Sequence, residues 1–389
     1  MIVFKTRFHK SYFIQILIYL FINGLFIFKY FPRVGASSSI IFAFFTTFLF
    51  FAVYIFKFYS YKVSEKTFKI AFWSLLILMI LIIIGLLIKI DPYSVRVDRW
   101  SAVSFFLDNL FQGKYPYLAH THVSESNFAS PFPVWHILNI PFYLLGDVGI
   151  GLIFFLLLTA ITIQYFFPSY RKSFFFLLLL CISPAYWWEV AVRSDSLSNA
   201  LLVFVFILWF QKKNYSLSTN FWLAAIACGL IASTRLSAIL PLALYFFKPF
   251  IQLPWKQKIG FSLAVFGIAV LTFLPFIFWD TTNWIFFSRN PFMSQSSIGN
   301  PYLLILLILF GGWLAFKWKN EQQFFWIVSL FIFVFVLLSQ LSLIYTRGIQ
   351  GTVFTDSLYD ISYFTLALPY CLGFISNSLN KNEKKNDVS

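Results

Sequence analysis

Long apolar runs separated by short polar breaks occupy most of this chain, with one polar interval, residues 91–133, standing apart. An α-helix needs roughly 20 apolar residues to cross a bilayer core and satisfies its own backbone hydrogen bonds there. On that basis the pattern predicts spans near 11–30, 39–58, 70–90, 134–167, 173–188, 196–211, 220–233, 236–248, 259–279, 301–316, 324–343 and 361–377. The expected fold is all-α: a polytopic transmembrane helical bundle of about 11–13 spans, with amphipathic surface helices in its first large external loop. Two places have the wrong length for simple spans. Residues 134–167 are too long and carry Gly146, Asp147, Gly149 and Gly151, so they read as a short entry helix running into a span. Residues 220–248 are short for two crossings and break at Ser233, Thr234 and Arg235, a hairpin of short helices. The chain divides accordingly into N-terminal spans (1–90), an external catalytic loop with juxtamembrane helices (91–133), a transmembrane core (134–377) and a cytoplasmic tail (378–389).

Within the polar interval, Val103, Phe106, Leu107, Leu110 and Phe111 recur at three- and four-residue spacing, which predicts an amphipathic helix over 98–111 lying at the membrane surface. Gly113 ends it, and Pro116 keeps the following turn from continuing as helix. The interval holds Asp91, Asp98, Asp108 and Glu125, the histidines His120 and His122, and the cations Arg96, Arg99 and Lys114.

Composition strengthens the membrane reading. Hydrophobic residues make up 60% of the chain and charged ones 11%, more apolar surface than one water-soluble core hides. The 55 Phe and 20 Tyr favour strands in water, but backbone satisfaction in lipid favours helices. Abundant Phe, Ile, Lys and Asn fit a bacterium with AT-rich DNA. No small-residue cleavage site follows the first apolar run, which reads as an anchor preceded by Lys5, Arg7 and Lys10. Cys181, Cys228 and Cys371 all fall in apolar segments and imply no disulfide framework. The net charge of +15 is explained by distribution: with both termini cytoplasmic, most of the 29 cations fall on the inner side and only Glu65, Glu321, Glu383 and Asp387 of the acids join them. Attraction to acidic membrane lipids accounts for the basic excess, and no nucleic-acid partner is needed.

The string Asp98-Arg-Trp-Ser-Ala, the amphipathic turn after it, Gly113-Lys-Tyr-Pro-Tyr117 and the Pro131-Phe-Pro133 return resemble the first external loop of the C-type (GT-C) membrane glycosyltransferases, of the aminoarabinose transferase and protein O-mannosyltransferase type. Ser183-Pro-Ala-Tyr-Trp-Trp-Glu-Val-Ala-Val-Arg-Ser-Asp195 is similar to their second acid at the outer end of a span, and Thr234-Arg235, between Gly229 and Pro241, to their Gly, Thr-Lys/Arg and Pro pattern. Two extra spans before the loop, and Arg99 directly after the acid, depart from that pattern. The resemblance implies transfer of a sugar from a polyprenyl-phosphate donor to a glycan, lipid or protein acceptor on the extracytoplasmic face of the plasma (inner) membrane, with inversion. It implies Asp98 as general base and Asp195 as second acid. Arg235, Arg347, Lys114 and Arg193 are the candidates for the donor phosphate.

Each assignment has a plainer competitor. Asp98 and Asp195 both sit where an acid caps a helix; Asp91 is a rival base but also reads as an ordinary span exit. Arg193 lies four residues after Glu189, a helical pairing distance, and Arg235 suits a structural ion pair. The residues assign no cofactor and leave a divalent metal open, with His120, His122 and Glu125 as weak candidates to hold it. Trp284, Phe286 and Phe287 suit either a sugar face or the membrane interface. Arg347 and the 356–360 stretch are placed to close the cavity from its far side. Competing functions are a transporter or lipid flippase, which predicts charge in mid-span, and a lipid-linked polysaccharide polymerase or ligase, which predicts dependence on external arginines and a histidine.

Overall fold

The computed structural model describes residues 2–279, 285–296, 301–355 and 360–379. The chain is an all-α polytopic bundle, 81% helical, with no strand among the described residues. In chain order the helices are α1 (Ile2–Tyr30), α2 (Ser38–Phe58), α3 (Glu65–Lys89), α4 (Arg99–Phe111), α5 (Pro133–Leu144), α6 (Gly151–Phe166), α7 (Tyr170–Cys181), α8 (Pro184–Ala191) and α9 (Asp195–Lys212). They continue as α10 (Phe221–Ala232), α11 (Ile239–Gln252), α12 (Trp255–Ile277), α13 (Ile285–Ser288), α14 (Pro291–Ser296), α15 (Pro301–Ala315), α16 (Glu321–Ile349) and α17 (Leu368–Asn377).

Among the described residues six helical segments are long and apolar enough to cross a membrane: Lys10–Arg33, Ser38–Phe58, Glu65–Lys89, Val148–Phe166, Trp255–Ile277 and Glu321–Phe354. A seventh arises if α7 and α8, bent by 63°, count as one span. The other predicted crossings are shorter helices, which at about 1.5 Å per residue cover only part of the hydrocarbon thickness. Bare apolar side chains such as Leu81 and Ile88 on α3 and Leu263, Phe266 and Leu271 on α12 are what a lipid-facing surface requires and what a water-facing one avoids.

The chain forms two compact units. The first comprises Met1–Ile82, Leu157–Trp188 and Lys317–Ser389. Its core holds Tyr19, Phe72, Phe175, Phe176 and Tyr370, all fully buried. The bend between α7 and α8 has a local cause: Pro184 cannot continue α7, and Asn23 of α1 takes up the freed donors. Asn23 Oδ1 accepts from Ser183 Oγ at 2.6 Å and from Ala185 N at 3.1 Å, while its Nδ2 donates to Tyr19 O at 2.8 Å. A second neutral bond, Ser329 Oγ to Gln15 Oε1 at 2.7 Å, joins α16 to α1. Gly348, with φ of 77°, interrupts the helical geometry of α16 just after Arg347.

The second unit comprises Ile83–Leu156 and Glu189–Phe316. The irregular segment at 134–167 resolves as expected into α5, a turn and α6, with Gly146 at φ of 103° and Asp147 accepting from Gly149 N at 2.8 Å. The break at Ser233, Thr234 and Arg235 separates α10 from α11. Gly229 lets α10 and α12 approach closely, since a Cβ there would lie 2.8 Å from Ile268 and 2.9 Å from the Val265 carbonyl. In α4 the buried face is Trp100, Val103, Phe106 and Leu107, whereas Phe111 is exposed. The face that periodicity offered to lipid therefore packs on protein, in one apolar cluster with Phe132 just ahead of α5, Trp135 within it, and Phe273 and Phe276 of α12.

Candidate functional site

A cluster of buried and partly buried charges gathers around the turn between α8 and α9 in the second unit. α8 stops at Ala191, and Arg193 takes a left-handed conformation, φ of 51°. That turn is why helical spacing misplaces Arg193: it is off the helix, so its expected partner Glu189 is replaced by Asp147. Arg193 Nη1 donates to Asp147 Oδ2 at 2.5 Å, and Nη2 donates to Leu87 O at 2.7 Å and Ile90 O at 2.8 Å. The guanidinium thus satisfies the last carbonyls at the end of α3, where the helix dipole favours a cation. Asp147 Oδ1 also accepts from Trp100 Nε1 at 2.9 Å.

Glu189, 1% exposed, faces Arg99 instead, with Arg99 Nη1 at 3.5 Å from Oε2. The same Arg99 nitrogen donates to Ser194 Oγ at 2.8 Å and Ser196 Oγ at 2.5 Å. Between these serines stands Asp195, the first residue of α9, buried and held by Arg235 through both its oxygens: Nε to Oδ2 at 2.8 Å, Nη2 to Oδ1 at 2.6 Å and to Oδ2 at 2.5 Å. The helix-capping role considered for Asp195 belongs to Ser194, whose hydroxyl accepts from Ser196 N at 3.3 Å. Thr234 beside Arg235 accepts from Asn199 Nδ2 at 2.8 Å, so the break after α10 is tied into α9 twice. Arg99, Arg193 and Arg235 against Glu189, Asp147 and Asp195 balance in formal charge. A cleft lined by Arg99, Arg193, Ser194, Asp195, Asn139 and Trp135 opens among them, with about 20 Å³ of space, room for about one water.

Asp98 sits one residue ahead of Arg99 at the start of α4, half-buried. Its side chain makes no cap bond to the helix, so simple capping does not explain it. Oδ2 instead accepts from Asn127 Nδ2 at 2.9 Å, which holds the carboxylate against the 120–128 loop. Asp91, the rival, is exposed and accepts from Tyr93 N at 3.0 Å, the plain cap of a span exit. The structure therefore brings Asp98, Asp195, Arg193 and Arg235 into one unit, in which Arg99, next to Asp98 in the chain, donates to the two serines that flank Asp195.

Two cations stand elsewhere. Lys114 is exposed and donates to Gln112 Oε1 at 2.7 Å. Arg347, also exposed, belongs to the first unit. Among the described residues no group of three His, Cys, Asp or Glu side chains that could hold a metal ion gathers, around His120, His122 and Glu125 or elsewhere. Both ring nitrogens of His122 are engaged, Nδ1 with Ser101 Oγ at 2.7 Å and Nε2 with Val95 O at 2.9 Å. His120 packs on Phe128 with ring centroids 4.9 Å apart, and Glu125 is exposed. Phe286 is buried near Phe273 rather than presented to a ligand; Phe287 is exposed. Trp284, Asp356 and Tyr359 lie outside the described residues, as does the tail beyond 379.

Sequence reasoning passed over Arg99, Asp147 and Asn127 as site residues. Arg99 had a signal, a cation directly after the candidate base. Asp147 and Asn127 had none, because their partners are 46 and 29 residues away. Comparison of the chain with protein-family models, with characterised proteins and with solved structures finds no match.

Proposed function

We propose that this multi-pass membrane protein is a glycosyltransferase that moves a sugar from a polyprenyl-phosphate donor to a hydroxyl acceptor, with Asp98 as general base. The observation that carries the reading is Asp98 itself: a half-exposed carboxylate that caps nothing, follows a span within ten residues and is positioned by Asn127. In the proposed step Asp98 Oδ takes the acceptor proton as the acceptor oxygen attacks the anomeric carbon. The bond from that carbon to the phosphate oxygen breaks on the opposite face, and the polyprenyl phosphate leaves with the electron pair, inverting the centre.

Asp195 and its neighbours hold the floor of the site in this reading. Arg235 and Arg193 are already paired with carboxylates, so a donor phosphate engages them only by competing with Asp195 or Asp147. Lys114 has only a neutral partner and is the simpler candidate of the four. The loop carrying Asp98 lies on the extracytoplasmic side and both termini are cytoplasmic, as the cation distribution supports. Inner-membrane placement in a bacterium, and a glycan, lipid or protein acceptor, complete the proposal.

The test is transfer by the purified protein in detergent with a panel of polyprenyl-phosphate sugars. Asp98→Asn is expected to lower turnover by about a hundred- to ten-thousandfold while leaving the melting profile unchanged. Full turnover in Asp98→Asn refutes the base. Solute or lipid movement in liposomes, with no donor turned over by the unaltered protein, favours the transporter.

A further inference from the structure

A second cavity lies in the same unit, away from the buried ion pairs, and its walls carry a different chemistry. It has a volume of about 190 Å³ and is lined by Tyr117, Phe128, Arg289, Asn290, Met293 and Ser294 among others. That is below the roughly 300 Å³ at which pockets begin to hold drug-sized molecules, so it suits one small group rather than a whole lipid.

The 120–128 loop builds one wall. Thr121 N donates to Asn127 O at 2.9 Å, Asn127 N donates to Ser124 O at 3.1 Å, and His120 and Phe128 form an antiparallel bridge. This tight loop presents two neighbouring side chains to two charges: Asn127 holds Asp98, and Phe128 holds Arg289. The Arg289 guanidinium carbon lies 3.8 Å from the centre of the Phe128 ring, in contact with its face. A guanidinium seated on a ring gains from the quadrupole and still directs its N–H groups outward in its own plane, the arrangement that receives a planar pair of anionic oxygens. Among the described residues no carboxylate pairs with Arg289, in contrast to Arg99, Arg193 and Arg235.

The opposite wall is fixed as well. Asn290 Oδ1 accepts from Met293 N at 3.2 Å, which commits the oxygen and leaves the amide nitrogen to donate elsewhere. Gln295 ties α14 to its surroundings, accepting from Leu236 N at 2.8 Å and donating to Ser130 O. The Tyr117 hydroxyl donates to Pro131 O at 3.3 Å, and burial pushes its pKa well above the ordinary value, so it adds no negative charge to the pocket. A cation with outward donors, a neutral amide and hydroxyl donor set and an aromatic floor together describe a receptor for an oxyanion with several acceptor oxygens.

We propose that this cavity binds the phosphate of a phosphate ester, with Arg289 as the charged fork, Phe128 as its platform, and Asn290 and Ser294 as neutral donors. The choice of a phosphate ester over another oxyanion rests on the transferase reading, so binding is measured apart from turnover. The phosphate can be carried by a lipid or by a soluble sugar, and the probes separate these sources.

The experiment is calorimetric titration of the full-length protein in maltoside micelles and phosphate-free buffer with dodecyl phosphate and, separately, glucose 1-phosphate. Binding of dodecyl phosphate alone assigns the site to a lipid-borne phosphate, and binding of glucose 1-phosphate alone to a soluble one; equal binding assigns it to the phosphate group itself. In each case Arg289→Gln is expected to weaken the interaction about ten- to a hundredfold, the usual effect of losing hydrogen bonds to a charged group. Arg289→Lys, which keeps the charge and loses the fork, is expected to fall between and serves if Arg289→Gln melts early. Affinity unchanged in Arg289→Gln or Arg289→Lys, or no binding of either ester, overturns the assignment. Binding that depends on Arg289 in a protein that transfers no sugar leaves the pocket standing and removes the transferase reading instead.

Discussion

Two buried contacts of the first unit and three of the second differ in kind. In the first, the long-range buried contacts described above are neutral: Asn23 with Ser183 and Ala185, and Gln15 with Ser329. In the second, beside the neutral bond of Asn199 to Thr234, three are ionic: Arg235 on Asp195, fully buried, and Arg193 on Asp147 and Arg99 on Glu189, partly buried. Neutral amides satisfy a bend and a helix crossing at small cost. Charges removed from water are expensive, and a well-packed apolar pair is often as stable. Stability alone therefore accounts for the first set and leaves the second needing another reason, which a site handling charged groups provides.

The largest expected effect breaks an ion pair of the second unit. Arg235→Ala leaves Asp195 charged, buried and alone, and is expected to destabilise the protein by about 3–5 kcal/mol, read as a lowered unfolding midpoint in mixed micelles. The double variant Arg235→Leu with Asp195→Leu removes both charges and is expected to recover most of that loss without recovering transfer. Recovery of both stability and transfer would show that the pair only holds the fold. The corresponding cut in the first unit is Asn23→Ala, which orphans the Ser183 hydroxyl and the Ala185 N–H. Its expected cost is smaller, about 1–3 kcal/mol, with turnover per folded molecule unchanged.

These contrasts also explain what was legible beforehand. Apolar run length gave the class of fold and the breaks at 145–150 and 233–235, because those depend on local composition. The neutral bend at Ser183 was hidden inside what reads as one span, since Asn23 lies 160 residues away. Asp98, Asp195 and Arg235 were visible as charges next to apolar runs, which are conspicuous in any order of the chain. Their partners were not. Arg193 failed as a helical neighbour of Glu189 because its backbone is left-handed, a property of the turn that residue spacing does not encode. Nothing in residue spacing singles out Arg289, which the fold sets on Phe128.

A third test uses pH to probe burial without an ion pair. His136 lies in α5, the entry helix ahead of the span, stacked on Phe106 with centroids 3.5 Å apart. Burial pushes its pKa down to about 3, opposed by the Pro131 carbonyl and reinforced by Arg235. The folded value is depressed below the unfolded one of 6.5, so the stability contributed by burying the neutral ring is whole above pH 6.5 and declines as pH falls toward 3. The expected slope is about 1.4 kcal/mol per pH unit through that window. His136→Phe, measured by unfolding midpoint at pH 7 and pH 5.5, is expected to flatten it; an unchanged slope would locate the acid sensitivity in another group.

The smallest structural effect belongs to Lys114, and it sharpens the comparison most cleanly. Its ammonium is exposed and bonded only to Gln112, so no buried charge is orphaned by Lys114→Gln and no shift in melting is expected. Any change it makes must then come through a ligand. If Lys114 receives the donor phosphate, KM for the donor rises several-fold while kcat holds, the mark of lost binding common to ground and transition states. If Arg289 alone receives it, both constants stay as they were. The pair of variants thus separates a cation that only decorates the loop from one that the pocket beside Phe128 has set aside for an anion.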